Sequence, residues 1–332
     1  MNMNYLNRTG GPAEGRGEKQ RTRSLSLRSL RKTLFPLRLF LLFLASVSLA
    51  QTPVQVVTKV VEKELPYADG QRIRVTAQKA DVTLKGWSRP TVSVRLRLVA
   101  KHPDRAVAER EVMYHQYTLQ ANGNDIDLSN RFVIPQRAGK LQSQLKAIYE
   151  ISVPAKALIQ LTNSFGDVRL SDLAGDVNVK FEFGKLSLDD VGGKLTVASE
   201  YGDIDGRGVN ATFVCKAEKA DISLRDLGGS SRIASRYGKL MIVPNATTLD
   251  ALHIEAARTE IAFSPRRVAD FRYDVISTFA DIRVPESVAG ELGRYGSKQT
   301  FTYQPPGKKV EVSIQNTYST VSIQEEQSYG SK

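Results

Sequence analysis

Between Asn163 and Ile204 the chain returns to glycine every nine residues, at Gly166, Gly175, Gly184, Gly193 and Gly202. Each glycine opens a short run in which polar and aliphatic residues alternate, as in Gly166-Asp-Val-Arg-Leu170 and Gly184-Lys-Leu-Ser-Leu188. Alternation with a period of two marks a strand with one buried face. Glycine or alanine suits a corner where a side chain would crowd the neighbouring coil or bar a positive φ.

Two such units make an 18-residue coil, and like residues then fall into columns. One column is Val168, Leu186, Ile204, Ile222 and Leu240; a second is Leu170, Leu188, Gly206, Leu224 and Ile242. A third is Leu173, Val191, Val209 and Leu227, and the opposite strand supplies Val179, Val197, Cys215 and Ile233. Aliphatic columns at a fixed short period predict an all-β chain, a β-solenoid of roughly 18-residue coils over residues 71–324. One coil buries too little apolar surface to stand alone, so at least three must stack.

The pattern loosens toward the C-terminus. Arg258-Thr-Glu-Ile261 and Phe279-Ala-Asp-Ile282 lie 21 residues apart, and Tyr318-Ser-Thr-Val321 follows much later. Longer spacings predict looped-out corners, with Val288 to Gln304 as one excursion and Pro305-Pro-Gly307 as a turn between strands. Upstream, Arg72-Ile-Arg-Val75, Ala80-Asp-Val-Thr-Leu84 and Thr91 to Val99 read as the first strands. Pro103 to Met113 is the single helix expected, a lateral insertion or cap over the open end of the solenoid. Residues 51–70 read as a linker and 325–332 as a disordered tail.

The first 50 residues read as a targeting segment. Arg21, Arg23, Arg28, Arg31 and Lys32 precede the apolar run Leu39–Ala50, and Ser48 and Ala50 suit a signal peptidase site, which puts the mature start at Gln51. The run is 12 residues, against about 20 needed to span a bilayer, so no stable transmembrane segment is expected after cleavage. This segment holds 9 Lys/Arg and 2 Asp/Glu, or +7 of the net +12, which leaves +5 for the rest. The basic balance is therefore mostly a property of the leader, and no nucleic-acid partner is expected. The single cysteine, Cys215, excludes an intramolecular disulfide and occupies an aliphatic slot in the repeat.

Tyr149-Glu-Ile-Ser-Val-Pro154, followed by Asn163-Ser-Phe-Gly-Asp-Val168 and repeated Gly-Asp/Lys-aliphatic steps, resembles the adhesin domain family of bacterial envelope proteins, a family of unknown function. The resemblance runs from about Arg72 to Ile323. More loosely, the chain is similar to the head domain of GIN-type autotransporter adhesins. The resemblance implies a solenoid-like all-β fold, export, and an adhesive or envelope-associated role without catalytic residues. The chain departs from the family pattern at Lys219-Ala220 and Phe279-Ala280, where the corner loses its glycine.

Phe165, Phe183, Tyr201 and Tyr237, with Lys219 between the last two, precede the corner in successive coils. They read first as a stacked ladder packing along the solenoid and second as a strip for sugar rings. After the corner come Asp167, Lys185, Asp203, Asp221 and Lys239. Lysines interrupt the acids, so charge pairing along the stack is expected in preference to calcium. His102, His115 and His253 have no metal-ligand spacing, and His102 and His115 read as solvated residues flanking the helix. A β-helix polysaccharide lyase or hydrolase would need Asp205, Arg207, Arg225 and Asp226 to converge across coils.

The expectation is an exported, non-enzymatic binding or scaffold protein in the periplasm, at the cell surface or outside the cell, with no cofactor or metal. Its partner would be an envelope protein or a glycan. The alternatives are a carbohydrate-active β-helix enzyme and a periplasmic module for envelope stress sensing.

Overall fold

The structure, a computed structural model, describes residues 53–326. The expected leader lies outside the described residues.

The repeat builds what its spacing predicts. Each central coil has two straight segments. In one, β8 (Leu158–Ser164) pairs in parallel with the first part of β10 (Asp176–Glu218), Leu158 opposite Asp176. In the other, β9 (Val168–Leu173) pairs with Leu186 to Val191 of β10. β10 continues into β11 (Ile222–Phe263) at the same 18-residue step, with Ile204 opposite Ile222 and Cys215 opposite Ile233. The aliphatic columns are the residues that stack, and Val168, Leu170, Val179, Leu186, Ile222 and Ile233 are all buried. At roughly 25 cal/mol per Å² of apolar surface removed from water, these columns are the main cohesive force of the stack.

The ends of the stack do not follow chain order. β2 (Arg72–Gln78) and β3 (Ala80–Trp87) lie directly on β8 and β9. Outside them sit β6 (Asp125–Phe132) and β7 (Gln144–Pro154), both parallel to them. The other end repeats the device. β16 (Val310–Thr317) and β17 (Val321–Ile323) insert between the last turn of β11 and the pair β12 (Phe271–Thr278) and β13 (Ile282–Arg283). The step of 21 from Arg258 to Phe279 is thus a step in sequence only, because the coil carrying Tyr318 lies between them.

Antiparallel strands finish each end. β4 (Thr91–His102) pairs with β7, and β1 (Gln55–Pro66) pairs with β4 along its whole length. β5 (His115–Asn122) covers β6. β15 (Lys298–Tyr303) covers β12, and β14 (Leu292–Tyr295) covers β15. The expected linker over 51–70 is therefore corrected: twelve of its residues are strand β1. Lys59, Glu62, Lys63 and Glu64 break its apolar pattern: among the described residues β1 has a register with β4 alone, and charge on an outer strand discourages further pairing. The expected excursion at 288–304 is likewise a hairpin whose Phe301 is fully buried against Val275.

The expected helix is α1 (Arg105–Glu111), extended by a 3-10 turn at Val112–Tyr114. Asp104 caps it, its Oδ1 accepting the Ala106 N–H at 2.8 Å. α1 packs beside β1 and β4, the strands that close the N-terminal end. Buried Glu111 accepts the backbone N–H groups of Gln142 and Ser143, the latter at 2.6 Å, and so ties α1 to the start of β7. At the C-terminus, Gln324 and Glu326 donate backbone N–H groups to Phe263 and Pro265, and the Glu325 carboxylate accepts from the Val268 N–H. Residues 325 and 326 of the expected tail are thus hydrogen-bonded to the body, and the remainder lies outside the described residues.

Candidate functional site

One corner of every coil is made by a non-glycine residue in the left-handed region. In spatial order these are Lys79, Phe165, Phe183, Tyr201, Lys219, Tyr237, Arg258, Tyr318 and Phe279, with φ between 47° and 67°. The positive φ expected of the corner glycine is present at Gly166, Gly184 and Gly238, at 141°, 159° and 150°, and the residue before each is left-handed as well. That conformation costs an L-residue roughly 1–2 kcal/mol, so each such residue needs compensating contacts. The glycine after it is required by space: a Cβ on Gly166 would lie 2.1 Å from the Ala80 carbonyl oxygen.

The compensating contacts run along the stack. Phe165 and Phe183 lie face to face at 4.8 Å with 3° between their planes, and Phe183 and Tyr201 at 5.1 Å and 6°. Lys219 places Nζ 4.5 Å from the centre of the Tyr201 ring and donates to its hydroxyl at 2.7 Å, which raises the lysine pKa. Arg258 sits between Tyr237 and Tyr318, its guanidinium carbon 5.4 and 5.1 Å from their ring centres. Tyr318 and Phe279 stack at 5.1 Å. Lys219 and Arg258 thus stand where rings are missing, Lys219 held by one π face and Arg258 by two. The corners at Lys219-Ala220 and Phe279-Ala280 keep this geometry without a glycine.

The predicted residues Phe165, Phe183, Tyr201 and Tyr237 are therefore brought into one column. All four are 41–50% exposed. Sequence reasoning missed Tyr318, Phe279, Arg258 and Lys79 as members, since the two terminal coils enter the stack out of order.

Beside the ladder runs an open groove of about 790 Å³, lined by the residues that precede each corner. The outward column Thr162, Lys180, Ala198, Lys216, Ala234 has a low floor at the two alanines, and Glu182, Glu200, Glu218 and Arg236 stand next to the corners. Arg236 is paired with Glu218 at 3.1 Å. The groove spans five inter-coil steps, about 24 Å at the ordinary strand spacing. The alternation of lysine and alanine in that column was its only sequence signal.

The acidic column has a backbone task. The Oδ1 atoms of Asp81, Asp167, Asp203 and Asp221 accept the N–H of Asp167, Lys185, Asp221 and Lys239, one coil on, at 2.9–3.1 Å. Each carboxylate satisfies a donor that the corner takes out of the ladder. Among the described residues no cluster of His, Cys, Asp or Glu has the arrangement of a metal site. The four residues that a polysaccharide lyase or hydrolase would need have these neighbours. Asp205 pairs with Lys185, Arg207 with Asp189, and Asp226 accepts from Asn245, while Arg225 stacks beside Arg207.

His102 and His253 are engaged locally, with the Asp104 backbone and with Glu255. His115 corrects the solvated reading. It is buried against Phe132 with Nε2 3.4 Å from the Val99 carbonyl oxygen, and burial lowers its pKa. Cys215 is buried in its aliphatic column, and its thiol is pushed up to about 12 by desolvation, so it is not a nucleophile at neutral pH.

The architecture and this surface define a β-solenoid module that presents regular side-chain columns. The chain belongs to the Toastrack DUF4097 family, whose model matches residues 70–322. No curated protein matches the chain. Among solved structures, a candidate cell adhesion protein from Clostridium sporogenes is 10% identical over 82% of this chain and all of that one, with a TM-score of 0.24. A candidate adhesin from Bacteroides fragilis is 11% identical over 80% of this chain and 97% of that one, with a TM-score of 0.29. At these scores neither likeness carries an argument about this chain.

Proposed function

We propose that this protein is an exported, non-enzymatic, adhesin-like binding or scaffold protein of the bacterial cell envelope. Its groove-and-ladder face meets an envelope protein or a glycan. The observation that carries the reading is the continuous groove of about 790 Å³ along six coils, flanked by rings and charges at coil spacing. A groove of this kind suits an extended polymer, because it offers successive units of the ligand positions at a regular coil spacing, with lysine and alanine alternating between coils. The acids near the corner, by contrast, are bound to backbone donors or cations one coil away, Asp167 to the Lys185 N–H and Asp205 to the Lys185 ammonium. Among the described residues no helix is long and apolar enough to cross a membrane.

The test is protease digestion of the full-length protein on intact cells, with a periplasmic protein as control. Digestion while the control survives is expected. Protection until the outer membrane is permeabilised would sink the surface-presenting reading and leave a periplasmic partner. A purified protein that releases reducing or unsaturated ends from polysaccharide would sink the non-enzymatic one.

A further inference from the structure

In a column of face-to-face rings, the neighbours take up the flat faces and only edges reach solvent. Sugars dock on faces, so most of the ladder is closed to them. Phe183 has a ring on both sides, Tyr201 has a ring and Lys219, and Tyr237 is covered by Arg258. Phe165 and Tyr237 each have one face covered, by Phe183 and by Arg258, and among the described residues no ring or cation lies over the other face of Phe165.

That side opens on a recess of about 340 Å³ lined by Phe165, Lys79, Lys101, Lys146, Gln144 and Leu145. Lys146 is held by Asp81 at 2.6 Å. Lys79 and Lys101, both exposed, have no acidic partner within ion-pair distance among the described residues. Leu145 is buried and supplies an apolar patch, and Gln144 adds a hydrogen-bonding group. The other end of the column, Phe279, also has a ring on one side only, Tyr318.

We propose that this recess binds one anionic sugar unit of a polysaccharide, its ring lying against the open face of Phe165 and its carboxylate or phosphate paired with Lys79 and Lys101. An aromatic face with two unpaired ammonium groups at its rim is the complement of a ring that is apolar on one side and charged at its edge. A volume of about 340 Å³ admits one or two saccharide units, so the chain of the polymer continues outside the recess. The recess and the groove have separate linings, and the proposal goes beyond the reading above: failure of the groove as a binding surface leaves the recess untouched, and the reverse.

The experiment is calorimetric titration of the full-length protein with three probes: an oligogalacturonate, its methyl ester as the uncharged ring, and a phosphorylated mannan oligosaccharide. Binding of at least one charged probe and not of the ester is expected, weakening as salt is raised. The charged probe that binds distinguishes carboxylate from phosphate. Lys101→Ala and Phe165→Leu should each weaken binding about tenfold, with far-ultraviolet circular dichroism unchanged. Lys79→Asn, which tolerates the left-handed corner, should do the same. Ala198→Trp, which fills the groove, should leave recess binding intact. Failure of both charged probes, equal binding of the ester, or affinity untouched by Lys101→Ala and Lys79→Asn would overturn the proposal. Loss of binding on Ala198→Trp would move the site to the groove and overturn it as well.

Discussion

Tyr201 holds an unfavourable φ of 57° between a phenylalanine ring and a lysine ammonium, and both contacts exist only because coils stack. Tyr201→Ala keeps the conformational cost and loses the contacts. It should destabilise the protein by about 1–2 kcal/mol, read as a lower urea midpoint with unchanged slope. Unchanged stability would mean that the ladder is kept for binding and not for cohesion. Gly202, the next residue, answers to a different neighbour. A Cβ there would lie 2.3 Å from Cε2 of buried Phe181, one coil back. Gly202→Ala should therefore cost about 1–3 kcal/mol through overpacking. In the Phe181→Leu background the added cost should shrink, and a strictly additive double mutant would refute the contact as its cause.

At the scale of elements, β5 illustrates how an end strand is held. His115 begins it, buried beneath β4 with Nδ1 unpaired, and burial depresses its pKa. The unfolded chain takes up this proton near the ordinary histidine value of about 6.5, whereas the folded chain resists it until lower pH. Proton uptake favours the unfolded state in that interval. The contribution of His115 to stability is thus present above the unfolded pKa and lost as pH falls. Melting temperature should fall between pH 7 and pH 5 more steeply for the natural protein than for His115→Leu. Equal slopes would show that His115 is hydrated in solution. That histidine was misread from sequence because its burial depends on α1 folding back on β1 and β4, which no local pattern announces. The linker that proved to be β1 was misread for the same reason. Outer strands carry charge to limit further pairing, and charge erases the alternation by which strands are recognised.

Taken whole, the molecule departs from an open solenoid in having its last coil locked inside. β16 and β17 lie between β11 and the β12–β13 coil. In a sequential solenoid, loss of the C-terminal strand peels one terminal coil and leaves the rest. Here, removal of residues 310–332 should expose both flanking coils and abolish protection across residues 251–303. Hydrogen exchange of the shortened chain should show fast exchange throughout that span, with the central coils near 158–218 still protected. Protection retained over β12 would show that the coils can close the gap. The same test in the intact protein should find β14 exchanging before β17, although β17 is nearer the end of the chain.

The coil length, the interior columns and the central part of the aromatic column, Phe165 to Tyr237, could be read from the amino-acid sequence, because each depends on a short-range period: two residues for the side-chain face and eighteen for the coil. The composition of the first 50 residues likewise separates their charge from that of the body. The sequence does not carry the order of coils at the two ends, the strand nature of residues 55–66, the groove or the recess at Phe165. Those arise from pairings between segments distant in the sequence, as Gln55 with His102, Arg72 with Asp125 and Arg72 with Leu158, where no repeat links the partners. A concave surface and an uncovered ring face exist only after the stack has closed. Periodic burial is a local property of the chain, while the way each end of the stack is sealed is a property of the fold.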